Sequence, residues 1–269
     1  MPRNRKHSVK PVVDVVVTTM GRFDMLKDCL EALDNQEIES NIFIIDIASD
    51  PEERIANQEV FEGRSTKRIQ QNVGFPRAAN EGARMGSAPL IIFVSDDVIL
   101  QEGTLEKMVR TMDDATIGIC GAKLIFPLTS THPNRPAGKV QHVGLALNIR
   151  GDIVHPLVGW SVDNPKCCVS RDVFATTGAC YMIRRDLFNK VGGFGQEYGI
   201  GTFEDADLCL KIRSLGHRVY LNAEAKAFHY VGGSAEKKKV NFPLQENSMI
   251  FKTRWLPTPL ASWNEYEFY

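Results

Sequence analysis

The sequence predicts an α/β protein whose core is a doubly wound, Rossmann-like sheet. Short apolar runs rich in β-branched residues, such as residues 90–94, lack the polar alternation of half-buried strands. Such runs indicate strands that are buried on both faces. Segments with apolar residues at helical spacing alternate with these runs. This alternation is typical of βαβ units with parallel strands.

Residues 90–98 are the stretch from which the site prediction starts, because an apolar run there ends in Asp96 and Asp97. Unpaired charges are too costly to bury, so both carboxylates must lie at the rim of the sheet, where open α/β sheets bind ligands. Adjacent carboxylates repel each other unless a cation or several donors neutralise them. A divalent cation that holds a diphosphate meets this demand. The alternative interpretation is that the two acids merely begin a loop.

The first half of the chain contains four predicted strands with helices between them. The strands are residues 12–17, 42–45, a weaker one near 67–70, and 90–94. Phe23, Leu26, Leu30 and Leu33 recur at helical spacing after the first strand. A second helix, rich in alanine, is predicted before the fourth strand.

Polar residues stand at three of these strand ends, namely Thr18, Asp46 and the pair Asp96 and Asp97. The carboxyl ends of parallel strands meet at one edge of the sheet, so these residues are predicted to converge on a nucleotide-binding crevice. No G-x-G-x-x-G follows the first strand and no G-x-x-x-x-G-K-[ST] occurs in the chain. The sequence therefore argues against a dinucleotide cofactor and a P-loop.

The second half, from residue 117, has a less regular pattern. Strands are predicted at residues 140–147, 219–221 and 225–228, apolar runs span 117–125 and 174–183, and a short helix covers 186–191. No linker, low-complexity segment or repeat separates the halves. We expect a flexible N-terminus at 1–11, one domain at 12–235 (halves 12–116 and 117–235), and a tail at 236–269 that packs on the domain or on a partner.

A second carboxylate cluster, Glu204, Asp205 and Asp207, opens a predicted helix. One interpretation makes Thr202 the N-cap and Asp205 its capping-box partner. The other makes the cluster functional, because a helix N-terminus at a cleft can hold a carboxylate as a general base. The segment alone does not decide between them. His229, at the end of a predicted strand, is by itself more often a satisfied core or surface residue than a ligand.

The overall composition narrows the class of protein. With 32 basic and 33 acidic residues the net charge is −1, which argues against a nucleic-acid partner. The six cysteines show no C-x-x-C spacing and are expected to be reduced core residues. No signal peptide or transmembrane segment is predicted. We therefore expect a cytoplasmic protein, with room for peripheral association at the inner face of a membrane.

Taken together, these segments resemble the inverting GT-A glycosyltransferases of family 2, in particular its rhamnosyltransferase-like branch. The matching blocks are VVVTT at 15–19, IID at 44–46, NVGF at 72–75, NEG at 80–82, FVSDD at 93–97, TGAC at 177–180, IRR at 183–185, VGGF at 191–194, EDADLCL at 204–210 and FH at 228–229. The resemblance covers roughly residues 12–235. It implies a GT-A fold with a mixed sheet, a nucleotide-sugar-binding N-terminal half and an acceptor-binding C-terminal half.

The resemblance assigns the donor contacts to the first half of the chain. Thr18 and Asp46 would contact the base and ribose of the nucleotide, and Asp96 the ribose or the metal shell. Asn72 and Arg77 would border the donor phosphates and sugar.

The resemblance also implies a cofactor, Mn or Mg. Asp97 would ligate the cation that bridges the donor diphosphate, and His229 would be a further ligand. Ser95 stands where the usual D-x-D motif has its first acid. This departure leaves the number of protein ligands open.

For catalysis, the resemblance makes Asp205 the general base that deprotonates the acceptor hydroxyl. Glu204 would bind the acceptor or act as the rival base, and Gly178 would lie in the loop beside the reacting sugar. The implied activity is inverting, metal-dependent transfer from a UDP- or dTDP-sugar to a saccharide or lipid-linked acceptor, as in polysaccharide biosynthesis. The sequence leaves the oligomeric state open.

Three alternatives share the nucleotide-binding half. Two are enzymes, a retaining GT-A transferase and a nucleotidyltransferase. The third is a catalytically silent module that binds a nucleotide sugar, which the serine at position 95 favours and the intact Glu204–Asp205 pair disfavours.

Overall fold

A mixed sheet of ten strands forms the centre of the computed structural model, which describes residues 11–231, 240–262 and 268. The predicted flexible N-terminus lies outside these residues except for Pro11. Of the predicted tail, residues 236–239, 263–267 and 269 lie outside them as well.

The strands and helices alternate through the first half of the chain and become less regular in the second. The strands are β1 (Val13–Thr19), β2 (Ser40–Ile47), β3 (Ser65–Ile69), β4 (Leu90–Ser95), β5 (Val98–Leu100), β6 (Ile117–Ile125), β7 (Val140–His142), β8 (Ala146–Leu147), β9 (Ile153–Val154), β10 (Arg171–Asp172), β11 (Cys180–Arg184) and β12 (Arg218–His229). The helices are α1 (Phe23–Asp34), α2 (Pro51–Ala56), α3 (Gly74–Ala83), α4 (Thr104–Thr111), α5 (Arg185–Lys190), α6 (Glu204–Ser214) and α7 (Leu244–Trp255).

The sheet has the strand order β10-β12-β6-β11-β4-β1-β2-β3. Strands β4, β1, β2 and β3 are parallel, so the ends of β1, β2 and β4 meet at one rim. Strand β11 lies between β4 and β6 and is antiparallel to both. The two halves of the chain therefore share a single sheet, joined at β11.

Both faces of the sheet are covered, as the continuous apolar runs predict. In β4, Ile91 and Phe93 belong to one core and Ile92 and Val94 to the other. Helices α1 and α4 contribute to the second core, and α3, α5 and α6 contribute to the first. The predicted doubly wound arrangement is confirmed.

Asp14 interrupts the first apolar run because it is a buried anchor. Its carboxylate accepts hydrogen bonds from Arg185 Nη2 at 2.5 Å, from Asn41 Nδ2 at 2.8 Å and from the Ala88 N–H at 2.9 Å. Three donors, one of them the charged Arg185, offset the cost of burying this charge. The start of β1 is thereby tied to α5 in the second half.

The second half differs from its prediction in three places. The predicted strands at 219–221 and 225–228 are parts of one strand, β12, whose pairing with β6 shifts register between Asn222 and Lys226. The predicted strand at 140–147 is divided into β7 and β8, and Gly144 between them has φ +112°. Helix α7 was not predicted. Its apolar pattern is weak, since only Asn247, Phe251 and Trp255 are buried.

The cysteines are all free, and five of the six are buried as predicted, with Cys168 exposed. Within the described ranges, no helix combines the length and the apolar character that crossing a bilayer requires.

Candidate active site

A cleft of about 410 Å³ opens at the rim where β1 and β4 end. Most of the predicted site residues line it, namely Thr18, Asn72, Asp96, Asp97, Gly178, Glu204, Asp205 and His229. Apolar side chains complete the lining, among them Met20, Ile47, Phe75, Ile200 and Phe242. The structure thus brings the Asp96–Asp97 pair and the Glu204–Asp205 pair, which are far apart in the sequence, to one cavity.

Two predicted residues, Asp46 and Arg77, lie outside this lining. Asp46 is buried, and its carboxylate pairs with Arg54 Nε at 2.7 Å and accepts the Ser49 N–H at 3.3 Å. Successive side chains of a strand point to opposite sides, so it is Ile47 that reaches the cleft. Arg77 is exposed and donates to Gln196 at 3.3 Å.

Asp96 and Asp97 occupy the tight turn between β4 and β5, and different partners hold them. The carboxylate of Asp96 accepts a hydrogen bond from Thr19 Oγ1 at 2.6 Å. The backbone N–H of Asp96 donates to the Thr18 carbonyl at 3.3 Å. Asp96 is therefore fixed against the end of β1. The carbonyl of Asp97 accepts the Tyr230 N–H at 3.0 Å, so this residue is fixed against the end of β12.

Asp97 and His229 face each other, with 3.4 Å between Asp97 Oδ1 and His229 Nε2. The other ring nitrogen of His229, Nδ1, lies 3.1 Å from Gln141 Oε1. An amide oxygen only accepts, so Nδ1 carries a proton and donates it to Gln141. In the neutral ring, the lone pair of Nε2 then points at a carboxylate oxygen.

Two such atoms at this distance can share either a proton on the ring or a cation. A carboxylate oxygen and an imidazole nitrogen are ligands that suit Mn²⁺, and a carboxylate also suits Mg²⁺. Gln141 would fix the tautomer of such a ligand from outside. The pair therefore fits a divalent cation, with the remaining positions left to phosphate and water. Among the described residues, no group of three or more His, Cys, Asp or Glu side chains could hold a metal by itself.

The second cluster lies at the start of α6. The capping-box interpretation is wrong, because Phe203 is the N-cap, with φ +70°, and no side chain caps the helix. Thr202 is also left-handed, with φ +81°. Asp205 Oδ1 accepts the Ala206 N–H at 2.7 Å, and Asp205 Oδ2 accepts the Gly178 N–H at 3.0 Å.

Glu204 and Asp205 differ in how their charged forms are stabilised. Burial raises the pKa of Asp205, but the N–H groups of Gly178 and Ala206 oppose this shift. Burial and the charge of Asp205 raise the pKa of Glu204 to about 8, although backbone hydrogen bonds at Thr202 and Glu204 oppose this shift. Among the described residues, Glu204 Oε2 has no hydrogen-bond partner. At neutral pH Glu204 therefore retains its proton, and the Gly178 and Ala206 N–H groups favour the charged form of Asp205.

The raised pKa of Glu204 predicts a pH-dependent stability. In the unfolded chain this carboxyl ionises near its ordinary pKa of 4.5, whereas the folded protein retains the proton up to about pH 8. Between these values the folded state binds more protons, so its stability falls as the pH rises. Glu204→Gln removes this penalty. Relative to wild type, its free energy of unfolding should increase from pH 5 to pH 8, by at most about 1.4 kcal/mol per pH unit.

Urea denaturation of both proteins at pH 5, 6.5 and 8 measures this difference. Glu102 is exposed, so Glu102→Gln is a matched control and should show no such trend. A Glu204→Gln difference that is the same at all three pH values would contradict the assignment of the proton.

His142 is a site residue that the sequence analysis missed. It is fully buried, and burial lowers its pKa well below the ordinary value, so the ring is neutral. Its Nε2 lies 3.3 Å from the Gly144 N–H nitrogen, 3.4 Å from that of Thr177, and 3.0 Å from Thr176 Oγ1. Backbone amides only donate, so Nε2 is unprotonated and accepts. His142 thereby supports the loop whose Gly178 N–H holds Asp205, and its only sequence signal was a polar residue within an apolar run.

A close backbone contact joins the two sides of the cleft. The N–H of Phe75, at the start of α3, donates to the Ile200 carbonyl at 3.1 Å. At Gly74, with φ +79°, a β-carbon would lie 2.1 Å from the carbonyl oxygen of Gly199. Only glycine permits this approach. The loop that follows β3 is therefore fixed against the segment that leads to Glu204.

Comparison with known proteins adds a family and a fold. Residues 14–192 match the family model described as "Glycosyl transferase family 2". The chain is 23% identical to the uncharacterized protein y4gI of Sinorhizobium fredii over 91% of its own length, and spans 28% of that protein. It is also 23% identical to the O-antigen biosynthesis protein RfbC of Myxococcus xanthus, over 83% of its length and 18% of that protein. The chain thus spans less than a third of these curated relatives.

Several solved structures are similar to the chain. GalNAc-T7 with UDP, GalNAc and Mn²⁺ matches with a TM-score of 0.66 and 14% identity, over 83% of this chain and 44% of that one. The mannosyltransferase PcManGT of Pyrobaculum calidifontis, in complex with GDP-Man and Mn²⁺, matches with a TM-score of 0.59 and 14% identity. The match covers 94% of this chain and 72% of that one. Residues 1–349 of S. aureus TarS match with a TM-score of 0.58 and 13% identity, over 95% of this chain and 68% of that one. Identities this low establish a common fold and nothing further.

Proposed function

The chain belongs to glycosyl transferase family 2, and on that premise we propose that it transfers a sugar from a nucleotide diphosphate to an acceptor hydroxyl with inversion at the anomeric carbon. It is a glycosyltransferase, and its mixed sheet has the GT-A fold that the sequence analysis predicted. The observation that carries the proposal is the single cleft that contains both the Asp97–His229 pair and the Glu204–Asp205 pair.

The donor would bind at the rim formed by β1 and β4. Thr18 and Asn72 offer polar groups there, and Met20 and Ile47 would provide an apolar surface for the base. Asp96 would provide a carboxylate for the ribose or the metal shell. Asp97 and His229 would hold a divalent cation, Mn²⁺ or Mg²⁺. When bound, that cation neutralises charge that develops on the leaving diphosphate. The similarity to structures that contain UDP or GDP-Man with Mn²⁺ supports a nucleotide-sugar donor, for which we propose a UDP- or dTDP-sugar.

Asp205 would be the general base. Its carboxylate is held by two backbone N–H groups, which favour its charged form and orient it. As the acceptor oxygen forms its bond to the anomeric carbon and the bond to the diphosphate breaks, the hydroxyl proton passes to Asp205. One displacement without a covalent intermediate inverts the configuration. Glu204, protonated at neutral pH, would donate a hydrogen bond to the acceptor.

We propose a saccharide or lipid-linked acceptor in the synthesis of a polysaccharide. The similarity to an O-antigen biosynthesis protein supports this class. Phe75 and Phe242 lie in the cleft lining and offer apolar faces of the kind that sugar rings cover. Peripheral association with a membrane would give access to a lipid-linked acceptor.

A thermal-shift screen of UDP-, dTDP- and GDP-sugars, with and without MnCl₂, tests the proposal. A ligand that binds only the folded state at 100 times its Kd adds about 2.7 kcal/mol to the free energy of unfolding and raises Tm. We expect one nucleotide class to do so with Mn²⁺ and not with EDTA, and its sugar to be hydrolysed or transferred. NMR of the product should show the inverted anomer. A screen in which no nucleotide raises Tm with Mn²⁺ would refute the proposal, and a retained anomer would refute its inverting part.

A further inference from the structure

Helix α7 lies beyond the residues that match the family model, yet it contacts the segment that leads to Glu204. Its Asn247 is 2% exposed. Asn247 Nδ2 lies 2.9 Å from the carbonyl oxygen of Tyr198, 2.7 Å from that of Gly201 and 3.2 Å from that of Thr202. An amide nitrogen has two protons to donate. One side chain therefore lies within hydrogen-bond distance of three carbonyl oxygens in the five residues 198–202.

The segment it holds has an unfavourable conformation. Residues Gly199, Gly201, Thr202 and Phe203 all have positive φ, and the last two carry side chains that disfavour it. Such a conformation persists only where its surroundings impose it. Phe203 is followed immediately by Glu204 and Asp205, so the turn sets the direction in which both carboxylates point.

Helix α7 also contacts the other side of the carboxylate pair. Asp207 is fully buried, and its Oδ1 accepts hydrogen bonds from Arg254 Nη1 at 2.7 Å, from Trp255 Nε1 at 2.8 Å and from the Tyr198 hydroxyl at 3.1 Å. Lys211 Nζ lies 2.9 Å from its Oδ2. Asp207 thus anchors α7 through its Oδ1 and does not line the cleft.

We propose that Asn247 is a positioning residue for the Glu204–Asp205 pair. By binding the carbonyls of residues 198–202 it holds the left-handed turn at Thr202 and Phe203, while Arg254 and Trp255 hold Asp207 on the far side. Helix α7 then belongs to the acceptor-activating machinery although it contributes no residue to the reaction. Only the measurement of kcat depends on the proposed function, and the measurement of hydrogen–deuterium exchange does not.

The test compares Asn247→Ser, Asn247→Asp and the control Met249→Ala with wild type. Asp keeps the shape of Asn but removes both N–H donors and places an acceptor against three carbonyls. Ser is the milder change and retains one donor. Met249 lies on the exposed side of the same helix, 69% exposed, and touches none of these groups.

We expect hydrogen–deuterium exchange of the amides of residues 199–207 to accelerate at least tenfold in Asn247→Ser and Asn247→Asp, and not in Met249→Ala. We expect kcat, measured well below each Tm with the donor found by the screen, to fall at least tenfold. The calorimetric Kd for UDP with Mn²⁺ should change less than twofold. A purely structural role would lower Tm without this division between kcat and Kd.

Wild-type exchange at residues 199–207 in both Asn247 variants would overturn the inference, whatever the activity. So would kcat and Kd that change together. If Asn247→Asp does not fold, Asn247→Ser alone decides by the same two measurements. A wild-type protein that turns over no nucleotide sugar would count against the proposed function, and the exchange comparison would still judge the inference.

Discussion

Asp205→Asn is expected to lower turnover by about 10²–10⁴-fold, the usual contribution of a positioned general base. The Kd for the nucleotide donor should stay within about twofold, because the substitution lies on the acceptor side of the cleft and changes a base without altering the donor rim. Asparagine has nearly the same shape as aspartate, but it cannot take a proton. The NH₂ group of the asparagine would also point at the N–H of Gly178 or of Ala206, so two donors would face each other. Steady-state kinetics and calorimetry with UDP and Mn²⁺ measure the two quantities.

Asp113→Asn is the matched control for this substitution, since Asp113 is an exposed acid outside the cleft, and its turnover should equal that of wild type. Glu204→Gln is the informative comparison. It should retain more turnover than Asp205→Asn, because a neutral amide can replace the hydrogen bond that protonated Glu204 donates. The reverse order, with Asp205→Asn active and Glu204→Gln inactive, would assign the base to Glu204.

Asp97→Ala is expected to abolish the Mn²⁺-dependent binding of the donor. A cation at a leaving diphosphate contributes several kcal/mol to transition-state stabilisation, and each 1.36 kcal/mol is a factor of ten in rate. Turnover should therefore fall by about 10²-fold or more. In the thermal-shift assay, UDP with Mn²⁺ should raise the Tm of wild type and leave that of Asp97→Ala unchanged. Direct titration of Mn²⁺ followed by electron paramagnetic resonance gives a readout that does not depend on activity.

Asp163→Ala removes an exposed acid elsewhere and should behave like wild type in both assays. His229→Ala should weaken Mn²⁺ binding in the same direction as Asp97→Ala. Undiminished Mn²⁺ binding by Asp97→Ala would show that the cation is held elsewhere.

The parts of the site that the sequence predicted are those whose signal is local. In residues 90–98 an apolar run meets two adjacent acids, and the cost of burying unpaired charge predicts Asp96 and Asp97 at the rim. The structure puts them there. Residues 204–208 likewise combine a helix pattern with acids at its start, and α6 begins at Glu204.

The parts that were missed depend on contacts between distant segments. Neighbouring residues of a strand point to opposite sides, and the sequence does not show whether Asp46 or Ile47 faces the cleft. In the structure Ile47 lines the cleft, and Asp46 pairs with Arg54. The left-handed Phe203 replaces the expected cap because Asn247, which follows it by more than forty residues, holds the preceding carbonyls. No spacing along the chain contains that information.

The antiparallel strand β11 has a consequence for how the reaction centre is kept in register. Since β11 runs opposite to β4, the loop entering β11 and the turn leaving β4 arrive at the same rim, and Cys180 pairs with Val94. The Ser95 N–H donates to the Ala179 carbonyl at 3.0 Å, one residue from Gly178 on one side and from Asp96 on the other. The Gly178 N–H that holds Asp205 and the turn that contains Asp96 and Asp97 therefore flank one hydrogen bond between neighbouring strands. The loop entering β11 and the turn leaving β4 can separate at this rim only if the two strands part there.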